Sequence, residues 1–100
     1  MTVSATFYTG RRSGIGNDKE YQMTTATSRA NKGIQVLAGA ANTVKVFVGP
    51  SGITADSADA TDGYPLSAGE SVLFPVRTPS EIFVIAAGSG TGQKVWWMIV

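Results

Sequence analysis

Short apolar runs, each stopped by glycine or proline within a few residues, constrain this chain more than any other feature. Residues 34–38 (IQVLA), 44–48 (VKVFV), 71–76 (SVLFPV), 81–87 (EIFVIAA) and 94–100 (KVWWMIV) are too short for ordinary helices and rich in β-branched and aromatic side chains. Turn signals separate them: GAANT at 39–43, Gly49-Pro50, a turn at 78–80 around Pro79, and GSGTGQ at 88–93, which reads as a hairpin connection. In 34–38, Ile34, Val36 and Ala38 share one face; in 44–48, Val44, Val46 and Val48 point inward. Pro75 sits inside its run, which places that strand at a sheet edge or at a bulge.

Composition points the same way. Val, Ile and Thr total 27 residues, whereas Leu, Glu, Lys, Met and Gln together total 16. The first set packs well on pleated sheets and the second is the usual helix material. The expected fold is all-β: an antiparallel β-sandwich or jelly-roll-like small barrel of about 6–8 short strands, with little or no helix. One hundred residues make a single domain, 1–100. Within it, 33–100 form the core module and 1–32 form either an N-terminal arm or edge strands. Residues 1–8 alternate weakly as a short strand and 9–20 (TGRRSGIGNDKE) read as a loop. Residues 21–30 are strand-compatible with Tyr21, Met23 and Thr25 on one face, and 31–33 form a turn. The excursion 51–70 is long for a compact domain, so it is either functional or hides short strands, with Tyr64 and Leu66 anchoring its far end.

Two runs are apolar on both faces. Ile82 and Val84 oppose Phe83 and Ile85; Val95, Trp97 and Ile99 oppose Trp96, Met98 and Val100. A sheet with one wet face alternates apolar and polar residues, and these do not. Either a loop covers the second face or another subunit does. So short a chain has little material to spare, which favours a subunit. The expected subunit or partner contacts are Phe83, Ile85, Trp96 and Met98, joined by Arg11 and Arg12. The last apolar run reaches Val100, which therefore has a structural place.

Function classes are thinned by what is missing. The chain has no cysteine and no histidine, which removes disulfides, thiolate nucleophiles, zinc-finger sites and imidazole catalysis. Eight basic against seven acidic residues leave a net charge of +1, so no global field attracts nucleic acid. The charge is split, with +4 on residues 1–50 and −3 on residues 51–100. That split arises by chance or suits head-to-tail contacts between copies. Charged residues are only 15% of the chain, against about a quarter in an average domain. Such a surface is either Ser/Thr-rich and monomeric or covered by another protein. No apolar run approaches the ~20 residues of a membrane span. The N-terminus lacks signal-peptide character, so synthesis in the cytoplasm without secretion by a signal peptide is expected.

The remaining clusters carry little chemistry. Asp56, Asp59 and Asp62 precede Gly63 at a spacing unlike a calcium loop and read as a solvated acidic loop. The sequence Gly88-Ser89-Gly90-Thr91-Gly92-Gln93-Lys94 lacks the adjacent Gly-Lys and following helix of a phosphate loop. Arg11-Arg12, flanked by glycines, is either a solvated spot or a contact for an acidic partner or phosphate. Trp96 and Trp97 suit core and interface packing better than a sugar platform, because neighbours on a strand face opposite ways. No nucleophile–base pair can be assembled, so no enzyme, cofactor or metal site is expected.

From residue 33 onward the wording resembles a known family. The strand ending VFVG (Val46–Gly49), the turn GYPLSAGES at 63–71, and GQKV at 92–95 are similar to small β-sandwich proteins of tailed-phage virions, including capsid decoration or cement proteins. The resemblance covers about two thirds of the chain. It implies a non-enzymatic structural protein on the virion, bound to the outer capsid surface through the major capsid protein, stabilising the shell and associating as a homotrimer. Related modules serve at the neck, in the tail and at fibre bases, which gives the first alternative. A host-surface or carbohydrate-binding module using Tyr64, Trp96 and Trp97 is the second. From the near-zero net charge and the short apolar runs, no nucleic-acid partner and no membrane partner is expected.

Overall fold

The computed structural model describes residues 9–17, 19–55, 63–88 and 92–100. Among them, eight strands follow in chain order: β1 (Thr9–Ile15), β2 (Tyr21–Gln22), β3 (Ile34–Ala38), β4 (Val46–Gly49), β5 (Tyr64–Leu66), β6 (Ser71–Phe74), β7 (Phe83–Ala86) and β8 (Gln93–Ile99). They build two four-stranded antiparallel sheets, ordered β1-β8-β3-β6 and β2-β7-β4-β5. Only β4 and β5 are consecutive within one sheet; every other connection crosses to the opposite sheet. This is the strand order of a jelly roll, so the all-β expectation holds down to topology.

Alternation in the sequence becomes burial in the fold. Ile34, Val36 and Ala38 of β3 face Val46 and Val48 of β4, and all five are at most 1% exposed. Val84 and Ala86 of β7 and Val95 of β8 complete the centre, each at 0%. Each of these valines and Ile34 contributes about 1.5–3 kcal/mol by leaving water, and the two alanines less. Val44 lies outside β4, half-buried and packed against this core.

The loop expected over 9–20 is partly a strand. β1 pairs with β8 from Thr9↔Met98 to Ile15↔Gln93. It lacks an apolar signature because it is an edge strand, and its inward positions carry Gly10 and Arg12 instead of aliphatics. A bulge between Arg12 and Ile15, with Gly14 at φ 69°, resets the parity so that Ile15 turns inward to 0% exposure. Gly10 is required by packing: a Cβ there would sit 2.4 Å from the Trp97 indole.

The strand expected over 21–30 shrinks to Tyr21–Gln22. Beyond it Met23 is still buried and donates its N–H to Ile82 O, and Ala26 and Ala30 pack on the core. Thr25 points to solvent. The chain here runs beside 77–82 with isolated bonds (Ala30 N to Arg77 O, Ser80 N to Ala26 O) and forms no ladder.

The hairpin expected at 88–93 is instead a crossing between sheets, since β7 and β8 belong to different ones. Gly, Ser and Thr signal a turn but not which sheet the next strand joins. Gln93 is the first residue of β8 and is buried. Its Oε1 accepts from Thr43 N at 2.8 Å, and its Nε2 donates to Thr43 Oγ1 at 3.1 Å. Reciprocally, Lys94 N donates to Asn42 Oδ1 at 2.8 Å, and Asn42 Nδ2 donates to Lys94 O at 2.9 Å. This clip ties the β3–β4 crossing to the start of β8.

The excursion 51–70 does hide a strand, β5, which pairs with β4 through Leu66, Pro65 and Tyr64. Leu66 is buried, while Tyr64 is exposed and touches Phe74 edge-on at 6.2 Å between centroids. Thr54 O accepts from Gly63 N; Asp56, Asp59 and Asp62, like residues 1–8 and 89–91, lie outside the described residues. β6 is an edge strand, as the position of Pro75 implied. The turn around Pro79 is a 3-10 turn, Pro79–Glu81, and Glu81 Oε2 accepts from the Thr78 and Arg77 N–H groups. Val100 is held through its backbone: N–H to Gly33 O, and O accepting from Asn31 and Lys32 N–H.

Candidate interaction surface

The outer face of the β1-β8-β3-β6 sheet carries the residues that alternate away from the core. Register sets them in two cross-strand rows. One row is Arg11, Trp96, Leu37 and Ser71; the other is Thr9, Met98, Gln35 and Leu73. Neighbours in such rows lie about 5 Å apart at Cβ, so they form one continuous surface. Trp96 is 40% exposed, Leu37 39% and Leu73 42%, and Val100, next in the same alternation, is 39% exposed. Four of the five large apolar side chains exposed among the described residues therefore belong to this face. A shallow groove of about 400 Å³ runs over it, lined by Thr9, Gln35, Leu37, Ser71, Trp96 and Met98 among others. Arg11, and Lys94 two residues before Trp96, are its cations, and none of the residues in the two rows is acidic.

The other sheet is closed. Phe47 and Ile85 point outward from β4 and β7, yet they are 5% and 7% exposed because Ile53 and Ala55 of the same chain lie over them, with Phe83 packed at the margin. Glu20 accepts from Gly52 N and ties this cover to the loop before β2. The second apolar face of β7 is thus covered by the chain itself, in contrast to the subunit expected there. The sequence gives a physical reason: Ile53 is the one large aliphatic in 50–63, and the excursion is long enough to lay it across two strands.

Of the six residues expected at a contact, Arg11, Trp96 and Met98 share the open face. Phe83 and Ile85 belong to the covered sheet. Arg12 alternates inward, into the seam between the β1 and β2 edges, with its guanidinium carbon 5.1 Å from the Tyr21 ring centroid. Trp97 is 8% exposed and lies over Gly10, so the adjacent tryptophans divide between core and surface. Leu37 and Leu73 were missed as surface residues. Their signal was present: each is a leucine at the odd position of a strand whose other positions already supply the core face.

The chemistry available is contact chemistry. Among the described residues, no group of three or more His, Cys, Asp or Glu could hold a metal ion. No helix there is long and apolar enough to cross a membrane. Comparison with family models, curated proteins and solved structures gives no match for this chain.

Proposed function

We propose that the protein is a non-enzymatic structural subunit of a tailed-phage virion, a decoration protein that binds the outer head surface and stabilises the shell. The observation that carries the reading is the open face itself. An uninterrupted sheet face with Leu37, Leu73, Trp96 and Met98 and no acidic residue in its two rows is suited to burial against another protein. The resemblance of 46–49, 63–71 and 92–95 to virion β-sandwich modules implies a major capsid protein as partner and a homotrimer as the assembly. Shell stabilisation would come from many copies burying this face at subunit junctions, each adding modest area.

The test is co-sedimentation of the protein with expanded capsid shells that lack it. Hundreds of copies per shell, lost in Trp96→Lys, support a decoration role. A dozen copies or fewer moves the protein to the neck, tail or fibre base. The 40% exposure of Trp96 also supports a second reading, a host-surface glycan-binding module. In that case a glycan, and not the shell, shields Trp96 from iodide.

A further inference from the structure

The seam between the two sheet edges is a second surface, which shares Arg11 with the open face. β1 ends its sheet, so one edge of this seven-residue strand pairs with no other strand among the described residues. Long free edges are templates for another strand, and proteins usually blunt them with charge. Here the charge is of one sign. Arg11, Arg12 and Lys19 line an edge cleft of about 520 Å³ together with Tyr21, Thr24 and Thr25.

Two observations bear on Arg12 and Lys19. Arg12 and Lys19 sit over the same Tyr21 ring, at 5.1 and 5.6 Å from its centroid, so one aromatic ring serves two like charges. Arg12 Nε is buried and has no hydrogen-bond partner among the described residues. The one carboxylate lining the cleft among the described residues, Glu20, already accepts from Gly52 N. An unpaired buried donor on a charged group is costly, and an incoming carboxylate removes that cost.

We propose that the free edge of β1 accepts an extended acidic segment of another protein as an added strand, with adjacent carboxylates taken by Arg11 and Arg12. The geometry specifies adjacency. Arg11 lies on the outer face and Arg12 on the seam side, so two successive acidic side chains of an added strand, which also point to opposite faces, meet one arginine each. Lys19 adds to the field at the seam end.

The test uses a labelled, end-capped peptide of Thr and Val with Glu-Glu at its centre, matched to the seven residues of β1, titrated into the full chain at low salt. Saturable binding is expected, weakening with salt. It should fall roughly tenfold in Arg12→Gln and in the exposed Arg11→Gln, which keeps the result readable if Arg12→Gln misfolds. A Gln-Gln peptide should bind as poorly as those variants. A peptide N-methylated on alternate residues keeps its charge but loses ladder donors, and it should not bind. Absence of binding by the Glu-Glu peptide overturns the proposal, as does equal binding by the N-methylated one. Binding that appears only after deletion of residues 1–8 makes the chain's own N-terminal segment the occupant and overturns it. A dimer that the peptide does not dissociate and Arg12→Gln abolishes puts a second copy there, with the same consequence.

Discussion

Gly10 and Trp97 show how one residue in a β-sandwich can license another. The indole lies flat where a Cβ on residue 10 would project, with three of its atoms within 2.8 Å of that position. An aromatic ring cannot retreat as a flexible side chain can, because its own far edge is packed in the core. Gly10→Val is therefore expected to destabilise the fold by about 1–3 kcal/mol through overpacking, read as a lower urea midpoint. Gly10→Val in a Trp97→Leu background should cost less than in the native chain, since the obstruction is gone. Glu81 provides a different kind of residue-level control. The Thr78 N–H holds its carboxyl below the usual glutamate range; desolvation, the next largest effect, opposes it, and the Thr78 hydroxyl, the Arg77 N–H and the Arg77 charge add to the lowering. Its ionised form is thus favoured more in the folded chain than in the unfolded one. The resulting stabilisation is complete above the ordinary glutamate range and is lost as pH falls toward the lowered value. Urea midpoints between neutral and acid pH should drop more for the native protein than for Glu81→Gln; parallel curves would remove Glu81 from the account.

The elements differ in how they keep their apolar faces dry. β3 and β8 bury one face in the core and leave the other open, whereas β4 and β7 are covered on both sides. Ile53 makes the difference, joining Phe47 and Ile85 in a small cluster outside the main core. Truncating it removes a cap as well as core volume. Ile53→Ala is expected to cost about 2 kcal/mol, toward the low end for a buried aliphatic because the site is at the surface. The same variant should bind more of a hydrophobic dye, as Phe47 and Ile85 become accessible. An unchanged dye signal with the full stability loss would mean that the cover stays in place without its anchor. Edge strands are kept short or interrupted throughout: β2 has two residues, β5 contains Pro65, β6 stops before Pro75, and β1 carries a bulge. β1 is nevertheless the longest of the four, and its arginines are the obstacle to indiscriminate pairing.

Taken whole, the molecule is a jelly roll with one covered face, one open apolar face and one basic seam. That division predicts distinct behaviour for its two tryptophans. Iodide should quench one indole and spare the other, and Trp96→Lys should remove the quenchable part while changing stability by no more than about 0.5 kcal/mol. A large stability loss in that variant would show that Trp96 packs within its own chain. The strands at 34–38, 44–48, 71–76, 81–87 and 94–100 were readable from residue order, to within two or three residues at each end, because apolar alternation and Gly/Pro stops act within a few residues. So was the surplus of apolar surface on the last two. Residue order was silent about β1, whose glycine and arginines carry no apolar period, and about the destination of each connection, since a turn looks alike whether it returns to the same sheet or crosses to the other. It was silent too on which surplus face is covered. That choice depends on where Ile53 lands relative to β4, just before it in the chain, and to β7 (Phe83–Ala86), far after it, and only the assembled sheets bring the three together.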